Sequence, residues 1–232
     1  RLGGVAAWMA VWWISEAIPI PATALLPIVV FPSLGVMSAA SVTLSYANHL
    51  IYLFMGGFMI AVTMERWNLH RRIALHVIRG VGTEPTRLVL GFMLATALLS
   101  MWISNTAAAM MMITIGMAVL KQLLPDGRHQ PEPLGTALML GIAYAASIGG
   151  VATLIGSPPN AILAGVLEKH HGITLGFAEW MRFALPLSVV MLALTWLYLT
   201  RIAFRVRSTP LPEAGGFIRQ QLQQLGPMST PE

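Results

Sequence analysis

Three uncharged polar residues, Ser104, Asn105 and Thr106, separate two apolar stretches, 88–103 and 107–120, that are short for a membrane crossing. A spanning helix needs about 20 apolar residues, and shorter runs read as re-entrant, interfacial or buried segments. These two hold about 16 and 14 residues, with no charge in either. Irregular backbone at membrane depth is tolerated only where protein buries it or where it lines a watery cavity. The pattern predicts a re-entrant helical hairpin over 84–124, entering and leaving on the cytoplasmic face, whose polar tip holds a solute. Such a chain is part of a transporter.

Composition narrows the class. Apolar residues make up 56% of the 232 and charged residues 10%, with a mean hydropathy of +0.71, which predicts an all-α integral membrane protein. The absence of cysteine excludes disulfides and thiolate chemistry, and none of the six histidines has a zinc-type spacing. The net charge of +5 is carried by cations beside apolar segments, so it orients the chain in a bilayer rather than binding nucleic acid. Arg66, Arg71, Arg72, Arg79 and Arg87 precede the hairpin, Lys121 and Arg128 follow it, and Arg201, Arg205 and Arg207 end the last apolar segment. The positive-inside rule puts all three groups in the cytoplasm. Two full spans would give the same parity, so run length carries the hairpin reading.

Helices are expected over 3–17 and 22–36, divided at Pro19 and Pro21 because proline fits a first turn and breaks an interior; one long kinked helix is the alternative. A loop over 37–48 leads to a third helix, 49–64. Residues 65–79 mix cations with Trp67, Ile73, Leu75, Val77 and Ile78, a composition for an amphipathic helix at the membrane interface or, more plainly, for a cytoplasmic loop helix. The uncharged stretch 134–167 holds about 34 residues, roughly 50 Å if helical throughout. Gly149-Gly150 and Gly156-Ser157-Pro158-Pro159-Asn160 interrupt it, so a discontinuous helix is expected, 134–148 and 160–167 within a 134–168 element. A final span runs over 183–203. The division expected is scaffold 1–83, transport part 84–207 and polar linker 208–232, the last with a short amphipathic helix over 217–225. The first residue is not Met and the tail is polar, so a piece of something longer is expected.

Broken helices bring unpaired N–H and C=O ends together near the bilayer centre, where anions meet the former and cations the latter. Ser104, Asn105 and Thr106 precede the returning arm and are placed to cap it; a cap and turn with no ligand is the plainer reading. No carboxylate lies at membrane depth between 88 and 167, since Asp126 and Glu132 fall in the loop after Lys121. A proton-coupled carrier needs an intramembrane acid or histidine. Coupling therefore falls to a cation held by neutral oxygens, with sodium as the candidate and no other cofactor. Glu16 beside the prolines reads as a helix-end residue, and Met110, Met111 and Met112 as packing.

The runs Leu99-Ser100-Met101-Trp102-Ile103-Ser104-Asn105-Thr106 and Ala143-Tyr144-Ala145-Ala146-Ser147-Ile148-Gly149-Gly150-Val151-Ala152-Thr153-Leu154-Ile155-Gly156-Ser157-Pro158-Pro159-Asn160 resemble the divalent anion:sodium symporter family. So do Trp12-Trp13-Ile14-Ser15-Glu16 and Thr23-Ala24-Leu25-Leu26-Pro27. The resemblance implies sodium-coupled symport of dicarboxylates, citrate or sulfate in a bacterial inner membrane, by a homodimer whose transport domain slides in an elevator movement. It assigns Ser104, Asn105 and Thr106 to substrate. It assigns Ser100, Ser104, Asn105 and the backbone around Gly149, Gly150, Thr153 and Gly156 to sodium, with Ser157, Pro158, Pro159 and Asn160 forming the loop. The family has two inverted repeats and this chain has one triplet, so one half of the transporter is expected here, with the C-terminal repeat lacking. A proton-coupled or arsenite-type permease and a passive anion channel are the rivals; no nucleophile or paired-acid constellation supports an enzyme.

Overall fold

The computed structural model describes residues 1–123, 133–206 and 212–226. Arg128, His129, Asp126, Glu132 and Arg207 lie outside the described residues, as do both ends of the expected linker. Every regular element among the described residues is helical.

Two compact units emerge, 1–53 and 54–232. The first holds α1 (Leu2–Ser15), α2 (Ile20–Ser33), α3 (Ala39–Tyr46) and the start of α4 (His49–Arg66). Pro19 caps α2 and Pro21 sits in its first turn, so two helices form, as the prolines predict. Glu16 ends α1 in a left-handed conformation, φ 49°. The expected loop 37–48 instead carries α3, because the Ser38 hydroxyl accepts the Ser41 N–H at 3.2 Å and caps a short helix. Within this unit Tyr46 donates to Ala24 O at 2.7 Å.

The second unit contains the end of α4, then α5 (Leu69–Val81), α6 (Pro85–Ser100), α7 (Asn105–Leu123), α8 (Pro133–Ala152), α9 (Pro158–His171), α10 (Phe177–Leu197) with a π-helical continuation Tyr198–Ala203, and α11 (Pro212–Gln224). Helix α6 is central. It packs on α5, α7, α8 and α10, and Leu88, Val89, Phe92, Met93 and Ala95 are fully buried. Leu94 and Leu98 form its exposed edge. Close crossings rest on missing side chains: a Cβ on Gly91 would meet Ile78 Cα of α5 at 3.1 Å, and one on Gly141 would meet Met93 of α6 at 3.1 Å. Small residues let helices approach this closely.

Three helical stretches among the described residues are long and apolar enough to cross a membrane: Ala39–Arg66, Pro133–Ala152 and Phe177–Ala203. Leu2–Ser15, Ile20–Ser33 and Pro85–Ser100 are apolar but shorter.

The discontinuous helix is interrupted later than expected. Helix α8 runs through Gly149 and Gly150 to Ala152, and α9 begins at Pro158. The prolines set the break: Ser157 is extended (φ −149°, ψ 135°), as the residue before a proline prefers. Pro158 and Pro159 then occupy the first turn, where no N–H is required. Within the expected linker the short helix is α11, which starts at Pro212, earlier than the expected 217, and buries Ile218 against α5 and α7.

Candidate functional site

The turn between α6 and α7 is three bonds deep. Trp102 N–H donates to Leu99 O at 2.9 Å, Ile103 N–H to Leu99 O at 3.0 Å, and Ala108 N–H to Ser104 O at 3.0 Å. The Ser104 hydroxyl accepts the Ala107 N–H at 3.2 Å, so this residue caps α7. Ser104 and Thr106 are exposed and Asn105 is half-buried. Two hydroxyls thus stand open beside the first turn of a 19-residue helix, whose end carries partial positive charge.

Asn105 points the other way, toward the end of α8. Ser100 Oγ lies 2.6 Å from Ala146 O and 2.6 Å from the Asn105 amide. A carbonyl only accepts, so the single hydroxyl hydrogen goes to Ala146 O and the amide nitrogen must donate to Ser100. In that orientation Nδ2 also reaches Gly156 O at 3.2 Å and Ala146 O at 3.3 Å. Two amide hydrogens therefore serve three oxygens. With the amide turned over, Oδ1 faces the same three oxygens, and the Ser100 hydroxyl, 2.6 Å away, is the one donor among them. Neutral oxygens gathered at an interrupted helix end are of the type that suits sodium.

Missing side chains make this meeting possible. A Cβ on Gly149 would fall 2.6 Å from Ala97 Cα, one on Gly150 2.8 Å from Asn105 Cγ, and one on Gly156 2.6 Å from Gly150 O. The three expected glycines thus act through close approach, and only Gly156 lies in the break.

Thr153 joins the two elements. Its hydroxyl donates to Met101 O in the turn at 2.6 Å and accepts the Gly156 N–H at 3.0 Å. Both roles are structural. Ser157 caps α9 by backbone only, and Pro158 and Pro159 are exposed.

The chain matches the model of the sodium:sulfate symporter transmembrane region over residues 1–232. It belongs to that family. Sodium-dependent dicarboxylate transporters of Staphylococcus saprophyticus and Staphylococcus aureus are each 46% identical to it over 230 residues, covering 97% of this chain. The chain spans 44% of the length of these relatives.

In this symporter-family chain one residue at the break, Trp180, was not among those expected, and another, Asn160, was expected without its partners. Asn160, expected only to shape the loop, donates through Nδ2 to Gly150 O and Thr153 O, both at 2.8 Å, and is buried. Trp180 of α10 donates to Val151 O at 2.9 Å. Together they satisfy carbonyls that the helix break leaves without an intrahelical partner. The available signals were weak: an amide just past Pro158-Pro159, and an indole N–H in an apolar helix that needs an acceptor.

Proposed function

We propose that this chain is the N-terminal half of a sodium-coupled dicarboxylate symporter of a bacterial plasma membrane, completed by a second, inverted repeat. The convergence of the Asn105 amide with Ser100 Oγ, Ala146 O and Gly156 O supports this most directly. It supplies a neutral oxygen cage for sodium with no titratable group in it. Ser100, Asn105 and the carbonyls of the α8 end hold the ion, and Ser104 contributes from the rim. Gly149, Gly150 and Gly156 hold the cage closed by their bare Cα atoms.

Ser104, Asn105 and Thr106 receive a substrate carboxylate at the start of α7. The two sites share Asn105, so an ion that turns its amide also sets which amide atom the anion meets. This is a physical route for coupling. The names of the 46%-identical relatives favour a dicarboxylate over sulfate. In this reading α6 and α7 form a re-entrant hairpin: α6 has 16 residues, about 24 Å of helix at about 1.5 Å each, short of a hydrocarbon core of about 30 Å. A homodimer working by an elevator movement completes the proposal.

The test is uptake of labelled succinate and sulfate into proteoliposomes by the intact protein, with a sodium gradient and with choline in its place. Sodium-dependent succinate uptake that Asn105→Ala reduces in both sodium dependence and affinity is expected. Sodium-independent flux, or an Asn105→Ala protein unchanged in both, overturns the assignment.

A further inference from the structure

Helix α5 turns an apolar face to α6 and a cationic face to α11. Ala74, Leu75 and Ile78 are buried, while Arg72, His76 and Arg79 recur at i, i+4 and i+7 and so share one face. Helix α11 presents Arg219, Leu222 and Gln223 at i, i+3 and i+4. These six residues line an open cleft of about 350 Å³.

The cleft is held in shape from one side. Arg71 donates to Gln221 Oε1, and Arg72 donates to Leu225 O at 3.2 Å and Gly226 O at 3.0 Å, at the carbonyl end of α11 where a cation is favoured. His76 Nδ1 lies 2.8 Å from Arg72 O. A carbonyl only accepts, so Nδ1 carries the hydrogen. Arg79 and Arg219 differ from their neighbours. Both are exposed, and among the described residues neither pairs with a carboxylate or donates a hydrogen bond. The six lining residues include no acid.

We propose that the cleft between α5 and α11 binds the phosphate of an anionic membrane lipid. Planar guanidinium forks match phosphate oxygens. Location favours a lipid over a soluble anion. The stretch Ala39–Arg66 is long and apolar enough to span, and α5 begins at Leu69, three residues past its end. The cationic face therefore starts at headgroup level, where basic pockets beside spanning helices recruit anionic lipids. Leu222 in the wall suits the glycerol end of a lipid. The site is separate from the hairpin turn and does not depend on what binds there.

The test uses the intact protein in detergent, incubated with ³²P-labelled phosphatidylglycerol, phosphatidylcholine or inorganic phosphate and separated by gel filtration. Retention of phosphatidylglycerol well above the other two is expected. Arg79→Gln combined with Arg219→Gln weakens it about 25-fold, taking about fivefold per cation at a membrane surface. The corresponding double Lys protein keeps most of the binding, and unchanged elution of both variants shows that they fold. Phosphatidylglycerol held equally by the double Gln protein overturns the proposal. So does phosphatidylcholine retained as well as phosphatidylglycerol, or inorganic phosphate retained as tightly, which would make this a soluble-anion site.

Discussion

Gly150 faces the Asn105 amide so closely that a Cβ there would stand 2.8 Å from Cγ. Alanine at this position must push the amide out of its three-oxygen setting or part α8 from the α6–α7 turn. Overpacking of this kind costs about 1–3 kcal/mol. Gly150→Ala is expected to lower the thermal unfolding temperature and to abolish sodium-dependent uptake. Gly80→Ala is the control: nothing lies within 4 Å of its Cβ position on α5, and the change should be neutral or stabilising by about 0.5–1 kcal/mol.

Asn105→Asp separates the two amide orientations. It keeps the oxygens but removes the nitrogen that serves Ser100 Oγ, Ala146 O and Gly156 O. Without a cation, oxygens would face oxygens, and each unsatisfied buried group costs about 1–3 kcal/mol. With sodium the carboxylate gains attraction. The difference in unfolding temperature between sodium and choline buffers should therefore widen relative to the unsubstituted protein. An unchanged gap would count against a cation at this point.

Asn160 offers a purely structural comparison. Asn160→Ala removes the bond to Gly150 O at 2.8 Å, a loss of about 1–3 kcal/mol if that carbonyl is stranded, while Thr153 O keeps the Gly156 N–H at 3.3 Å. Asn160→Asp should be worse than Ala, because it sets a carboxylate against two carbonyls. Unfolding temperatures ordered Asn, then Ala, then Asp would bear this out. Asp equal to Asn would exclude it.

Trp180→Phe keeps an aromatic ring in α10 but deletes the indole N–H that reaches Val151 O at 2.9 Å. The expected loss is about 0.5–1.5 kcal/mol, concentrated locally. Amides of 153–157 should exchange hydrogen faster while those of α6 stay protected. Equal acceleration in both places would mean that the tryptophan supports the whole unit rather than the break.

How far the residues announced this arrangement depends on which atoms make the contacts. Ser104, Asn105 and Thr106 were legible because polar side chains between apolar runs are conspicuous, and Pro158-Pro159 because proline forbids the preceding helical geometry. Gly149 and Gly150 were misplaced. Their poor helix propensity suggested a break, whereas they sit in an intact helix and leave space for Ala97 and Asn105. Steric absence is visible only once the neighbour is known. The partners Ala146 O, Gly156 O and Val151 O are main-chain atoms, and residue types say nothing about them. Helix α3 had a readable Ser38 cap, but eight residues are too few for a clear periodicity. Ile218 gave no sign in a polar tail that it would be 1% exposed.

Thr153 fastens its hydroxyl to Met101 O, so the hairpin bend and the gap in the long helix are buttoned to each other at the backbone. Neither can swing aside alone without stranding that carbonyl. In the transporter proposed above, that clasp would favour bend and gap travelling together.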